Sequence, residues 1–283
     1  MLLVSFLMVK NLLILLFDYQ NYKDNMELII SIIMLLATVG AIFLAWRNLK
    51  KIQEQIELQK QESEQNAIAR AWEIVGRKAS GNSGKIEALE FLNKRGIPLV
   101  GIDLSAKTHG GYVWLIGVDL RGVNLRTAKL NLVGLNNADL RGACLECSDL
   151  SEARLLKADM SGASLFGTNL LEAILFDANL SHANLSRANL SHANLRGVNL
   201  LGATLFFTIL DAADFSQSTI DETTYFGPVF LKDKNKLPMF SQEQIEQLGI
   251  EMKLGELEEG EDFDGNKTLY HELKITLKPP KPA

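Results

Sequence analysis

Between Val113 and Gly227 apolar and polar positions recur every five residues without a break. Cut at that period the chain reads VWLIG, VDLRG, VNLRT and onward through ADLRG, ANLSR and ANLRG to ADFSQ, STIDE and TTYFG. The third position of these 23 pentads is Leu in 19, with Met160, Phe215, Ile220 and Tyr225 in the others, and the first is always Ala, Val, Ser or Thr. A fixed period speaks about architecture before any local reading does. Five residues fit neither the two-residue period of a straight strand nor the 3.6 of a helix. The bulky Phe215 and Tyr225 at the last central positions are expected to plug the end of the array.

A second pattern lies upstream. Leu28 to Trp46 is 19 residues without a charge, about 28 Å of helix and enough to cross a bilayer core. It is apolar on every face, unlike a surface helix of a soluble domain, so residues 26–46 are expected to be a transmembrane helix. Asp18, Asp24 and Glu27 precede it and Arg47, Lys50 and Lys51 follow, which places everything after Trp46 in the cytoplasm. Residues 1–25 are less clear-cut. Met1 to Phe17 is apolar but carries Lys10 and Asn11, and a central Lys costs about 2.5–3.5 kcal/mol on insertion. It lacks the basic start and small-residue cleavage site of a signal peptide. Two readings stay open: a weak first span, or a natural start at Met26.

Residues 47–112 read as stalk and N-terminal cap. Asn48 to about Lys78 is polar and helix-prone, with Leu49, Ile52 and Ile56 at successive heptad seam positions but Gln59, Ser63 and Asn66 after them. A solvated stalk and a short dimerising zipper at its membrane end are both open; a long coiled coil is not supported. GNSG marks a loop, Lys85–Lys94 a short helix stopped by Gly96 and Pro98, and PLVGIDLS a strand-like lead-in whose Leu104 is one residue out of register. That helix is expected to cover the array's first coil, since an open end exposes apolar side chains and unpaired strand edges. In residues 228–283, Ser241 and Gln244 are spaced as a capping box, with Gly249 as the helix stop. LGELEEGEDFDGN reads as an acidic loop, LYHELKITLK as a strand and KPPKPA as a disordered tail. DFDGN lacks the ligand spacing and closing Glu of a calcium loop.

The pentads resemble the pentapeptide-repeat family, whose motif is A(N/D)LXX. ADLRG (138–142), ANLSR (183–187) and ANLRG (193–197) are near-ideal copies, and the resemblance covers 113–227. It implies a β fold: a right-handed quadrilateral parallel β-helix of four pentads per coil, with the first and third residues inward. Residues 20 apart then stack on one face. The segment from Arg70 to Ser105 is more loosely similar to the one ahead of the repeats in membrane-anchored bacterial members. Together with the anchor this implies the plasma (inner) membrane of a bacterium, crossed once or twice, with the repeats cytoplasmic.

Charge and chemistry narrow the function. The net charge is −5, and no basic cluster suggests general nucleic-acid binding. Some family members mimic DNA and inhibit topoisomerases, which requires a long uncompensated acidic face. Here the array has 12 acidic and 8 basic residues, and the expected ladder Asp119, Asp139, Asp159 runs beside Arg121 and Arg141, which offset it. Cys144 and Cys147 form a lone C-x-x-C without further ligands, and His182 and His192, two pentads apart, fall on opposite sides of a coil. No nucleophile–base pair, metal cluster or glycine loop for phosphate stands out, so no enzyme activity, metal or cofactor is expected. Outward apolar residues are the remaining signal: Leu156, Ile174 and Phe176 on one face, Phe166 and Phe206 on another, with Phe207, Leu171 and Leu201 elsewhere. Contiguous exposed apolar patches mark contacts. These five (Leu156, Phe166, Ile174, Phe176, Phe206) are the candidate partner surface of a membrane-anchored scaffold. Its expected partners are the lipid bilayer, an unidentified protein and a further copy of itself as a homo-oligomer. A component of a membrane transport or channel assembly is the alternative, and a topoisomerase-inhibiting mimic the more distant one.

Overall fold

Each pentad is built by a complete assignment of its backbone donors, and Ala138–Gly142 illustrates it. The first N–H, of Ala138, closes a turn onto Leu135 O at 3.1 Å. The second, of Asp139, reaches back one coil to Val118 O at 2.9 Å, while Leu140 and Gly142 donate forward to Asp159 O at 2.7 Å and Ser161 O at 2.9 Å. The fourth, of Arg141, has no backbone acceptor in this scheme and donates to Asp139 Oδ1 at 3.3 Å. The Asn or Asp of the second position is thus the acceptor for the one N–H the ladder leaves over, as buried or half-buried backbone groups require. The fifth residue is left-handed in every pentad from Gly117 to Gln217, which is why Gly recurs there.

Stacked this way, the chain forms a repeat β-helix. Parallel bridges join residues 20 apart from Trp114↔Gly134 to Asn199↔Thr219, so four pentads complete one coil. The first and third residues of every pentad point inward and are buried to within a few percent from Val113 and Leu115 to Phe215. Small residues at the first position leave room for the Leu column at the third. Where Thr or Ser stands inward, its hydroxyl is satisfied: Thr168 donates to Leu145 O and Thr208 to Leu185 O.

The computed structural model describes residues 26–78, 81–82, 84–261 and 267–277; the two readings of residues 1–25, the DFDGN segment (262–266) and the tail 278–283 lie outside them. The chain divides into two compact units, Met1–Ala67 and Ile68–Ala283. The expected span and stalk are one continuous helix, α1 (Met26–Gly76). None of its residues from 26 to 67 is buried. It is long and apolar enough to cross a membrane.

In the second unit the last turns of α1 bury Ala71 and Val75 with Ala88, Leu89 and Leu92 of helix α2 (Lys85–Lys94). Lys85, fully buried, donates from Nζ to the carbonyls of Ile74, Val75 and Arg77 at 2.8–3.2 Å. These carbonyls lie at and just past the end of α1, where the helical ladder runs out, so the lysine caps its C-terminus. Burial, and then the nearby Arg77 charge, hold its pKa below the ordinary lysine value. Helix α2 covers the first coil as expected: Glu90 accepts from Asp119 N at 2.9 Å, and Asn93 donates to Arg121 O.

At both ends the array differs from its pentad frame. Leu99 and Leu104 are buried, and their N–H groups donate to Asn124 O and Lys129 O. PLVGIDLS is therefore two further pentads, set off from Val113 by an insertion that holds the short helix α3 (Ala106–His109). Ser105 N, Ser105 Oγ and Thr108 Oγ1 all donate to Asp103 and hold that insertion. At the other end one extra residue enters near Asp221, because Thr204 bridges Tyr225 rather than the residue before it. The slip turns Tyr225 outward, 55% exposed, and buries Phe226. Phe215 plugs the end as expected, joined by Phe226 and Phe240 rather than Tyr225.

Beyond it, β1 (Pro228–Leu231), helix α4 (Gln242–Leu248), β2 (Glu251–Glu261) and β3 (Lys267–Thr276) follow. The strands form an antiparallel sheet in the order β1-β3-β2. The expected capping box is present at Ser241 and Gln244, and Gly249 ends α4 in the left-handed region. The side chain of Gln244 also caps the array, donating to Phe215 O, Ser218 O and Ser218 Oγ and accepting from Gln217 N. The strand expected at LYHELKITLK is β3. Of LGELEEGEDFDGN, expected as an acidic loop, residues 254–261 instead belong to strand β2: pairing with β3 overrides their acidic composition.

Candidate functional site

Four columns of outward second-position residues distinguish the faces of the array. The column through Asp119 continues with Asp139, Asp159, Asn179 and Asn199. Arg121 donates to both carboxylate oxygens of Asp119 at 2.8 and 2.6 Å and lies 3.5 Å from Asp139. Arg141 repeats this on Asp139 and lies 3.9 Å from Asp159, which also accepts from Asn179 Nδ2 at 3.1 Å. The Arg121 hydrogen bond in particular pulls the Asp119 pKa to about 2, and Arg141 lowers that of Asp139. This face has its charges paired side by side.

The column through Trp114 departs furthest from the Asn or Asp rule, which the Asp119 column keeps to Asn199 and the Asn124 column keeps only at Asn124 and Asn184. After Trp114 come Gly134, Arg154 and Ile174, before Asn194 and Asp214 restore the pattern. Four successive coils on this face therefore lack the second-position Asn or Asp that accepts the fourth N–H along the Asp119 column, the longest such run on any face. In one of them the acceptor comes from the coil before: Leu156 N donates to Asn136 Oδ1. In place of the polar ladder the face carries Tyr112, Trp114, Ile116, Leu156, Ile174 and Phe176. Tyr112, Ile116 and Ile174 are 43%, 51% and 40% exposed, and Trp114, Leu156 and Phe176 are half-buried.

The rings are held in place. Trp114 stacks on Tyr112 with centroids 5.6 Å apart, and its indole lies against Gly134, where a Cβ would clash with it. The Arg154 guanidinium sits 5.4 Å from the Tyr112 ring and 5.5 Å from the Trp114 ring, and Arg196 sits 6.0 Å from Phe176. Such cation–π placement keeps each arginine beside the apolar surface.

The structure thus joins Leu156, Ile174 and Phe176 on one face, as the 20-residue stacking predicts, and adds Tyr112, Trp114 and Ile116. The signal for those three was their outward place in or beside the first pentad, in the same columns. Phe166 and Phe206 lie in one column of another face and do not join that surface. Phe166, 37% exposed, has Arg187 at 5.9 Å. Phe206 belongs to an aromatic cluster with Phe207, Tyr225 and, through Phe207, Phe230. Cys144 is half-buried and Cys147 exposed, both free thiols. Among the described residues no group of three or more His, Cys, Asp or Glu is placed to hold a metal ion.

A family model recognises the same five-residue repeats. The family described as Pentapeptide repeats matches in 8 copies, over residues 114–146, 135–171, 143–181 and 173–217. Among solved structures, the chain is similar to HetL, a pentapeptide repeat protein involved in heterocyst differentiation regulation from the cyanobacterium Nostoc sp. strain PCC 7120. Identity there is 34% over 44% of this chain and 56% of that one, with a TM-score of 0.24. It is also similar to the pentapeptide repeat protein Rfr23 from the cyanobacterium Cyanothece 51142, at 24% identity over 50% and 99% of the two chains and a TM-score of 0.33. QnrB1, a plasmid-mediated fluoroquinolone resistance protein, matches at 16% identity over 52% and 90%, with a TM-score of 0.27. The chain spans 56% of the length of HetL. A search of curated proteins finds no match.

Proposed function

From the premise that its repeat region belongs to the pentapeptide-repeat family, we propose that this protein is a membrane-anchored, non-enzymatic scaffold. Its array, a right-handed quadrilateral β-helix, offers a protein-binding face to the cytoplasm. The anchor is the apolar part of α1, uncharged from Leu28 to Trp46. It sits in the inner membrane of a bacterium, with Arg47, Lys50 and Lys51 on the cytoplasmic side. One observation carries the binding face: four successive coils at Trp114, Gly134, Arg154 and Ile174 forgo the Asn or Asp acceptor, and three of them place Trp114, Ile116, Leu156, Ile174 and Phe176 outward instead. Stability alone favours the acceptor, and exposed aromatic and Arg side chains are the residue types that dominate protein interfaces.

The paired Asp–Arg ladder favours this reading over a DNA mimic, whose acidic face needs uncompensated charge. For the test, the full-length chain is recovered from membranes with its bound proteins, alongside the double variant Ile174→Asp/Phe176→Asp. Loss of a specific partner in the variant, with the array still folded, supports the reading. Recovery of the same partners at the same yield removes the apolar face from it.

A further inference from the structure

Helix α1 presents apolar residues that no described residue of its own unit covers, and their spacing is regular. Leu28, Leu35, Ile42, Leu49 and Ile56 follow one another every seven residues, and Ser31, Thr38, Ala45 and Ile52 fall three residues after the first four of them. Over one uninterrupted helix these nine positions trace the a and d seam of a coiled coil. The seam does not end with the uncharged stretch. Leu49, Ile52 and Ile56 continue it among polar residues, where they are 61%, 50% and 58% exposed.

Charge placement marks the same seam. Between Arg47 and Glu57 every charged residue (Arg47, Lys50, Lys51, Glu54 and Glu57) falls at an outer b, c or f position. The positions flanking the seam there, Asn48, Gln53 and Gln55, are uncharged amides. No like charges would face each other across a pair of such helices, and the amides can hydrogen-bond between them.

In the uncharged part the d residues are small. The hydroxyls of Ser31 and Thr38 are already satisfied within their own helix, donating to Glu27 O and Leu35 O at 2.8 Å. They allow close helix approach in lipid without leaving a polar group unpaired. Gln59, Ser63 and Asn66 end the apolar seam, so the pairing has a defined length.

We propose that α1 binds a second copy of this chain through the seam from Leu28 to Ile56, forming a parallel two-helix zipper that runs from the bilayer into the stalk. The parallel orientation rests on the membrane reading above, since two copies anchored by the same segment enter the bilayer in the same direction; the pairing itself rests on the seam. A dimer presents two arrays per complex, so a partner with two sites would gain avidity without any new contact.

The experiment uses full-length protein in its native membranes with Cys144→Ser and Cys147→Ser, adding one cysteine at a time: Ile52→Cys, Ile56→Cys, Glu54→Cys or Leu58→Cys. Mild oxidation should give disulfide-linked dimers from Ile52→Cys and Ile56→Cys at several-fold higher yield than from the other two, because only seam positions bring the Cα atoms within disulfide reach. Equal yields at all four positions, or no dimer at Ile52→Cys and Ile56→Cys, would overturn the zipper. Alkaline extraction of the same membranes reads the anchor separately. Release of the protein would overturn the membrane reading, whereas the cross-linking pattern would still decide the pairing.

Discussion

The array and helix α1 hold their apolar residues in opposite ways. In the array every inward Leu is buried by its neighbouring coils, and turns and ladder close four of the five backbone donors of a pentad such as Ala138–Gly142 within about one coil. In α1, from Met26 to Ala67, Leu and Ile are as frequent but none is buried. The contrast teaches where each apolar residue finds its partner. In the array the sequence supplies its own cover. In the helix no described residue supplies the cover, and the proposed cover is lipid along the uncharged part and a second helix along the seam.

The largest effect that sharpens this contrast is in the core. Leu165→Ala removes a fully buried side chain from the inward column and should cost about 2–5 kcal/mol of array stability. Ile42→Ala on the exposed helix should change it by less than about 0.5 kcal/mol. Thermal unfolding of the detergent-solubilised protein, followed by circular dichroism, reads both. An equal loss from the two would break the comparison.

Gln244→Ala comes next. It strips the end of the array of an amide that donates to Phe215 O and Ser218 O, and leaving those groups without it should cost about 1–3 kcal/mol. Hydrogen exchange should speed up around residues 213–220 and stay unchanged in the middle coils.

A smaller effect is expected on the outward surface. Ile174→Asp should leave unfolding within about 0.5 kcal/mol of the parent, since the side chain is already 40% exposed. A large loss would mean that this face is held for stability rather than for a partner.

The smallest is electrostatic. Arg121 holds the Asp119 pKa at about 2, below the ordinary 3.8. Its stabilising contribution is complete above the unfolded value and is lost as pH falls through the folded one, between 3.8 and about 2. Solvent screens the pair, so the effect on stability is slight. An NMR titration of the Asp119 carboxyl should show the low midpoint, and Arg121→Ala should return it toward the ordinary range.

Much of the fold is legible in the sequence because the period itself encodes burial: Leu140 and Leu165 share an environment, so one pentad predicts the next. The reading fails where the period does. Nothing local in STIDETTYFG distinguishes a frame kept from one slipped by a residue, and Tyr225 and Phe226 are both plausible plugs. Leu99 and Leu104 were spaced as pentads, but the insertion before Val113 hid their membership. Lys85 as a cap was invisible, since its acceptors belong to a helix end that only the folded chain brings near. The acidic run in β2 became a strand through pairing with β3, a nonlocal cause. The candidate face was half legible. Stacking by 20 joined Leu156, Ile174 and Phe176, but the absence of Asn and Asp from the first four members of the Trp114 column acquires meaning only once the fourth N–H is seen to need an acceptor.

The central claim is that this one face of an anchored array is made for another protein. A photoreactive phenylalanine analogue placed singly at Ile116, Ile174, Arg121 or Ser161, and irradiated in intact membranes, tests it most directly. The account predicts adducts of the same discrete mass from Ile116 and Ile174 and none from Arg121 or Ser161, which lie on the Asp119 face. Equal adducts from all four sites, or none from Ile116 and Ile174, would contradict it.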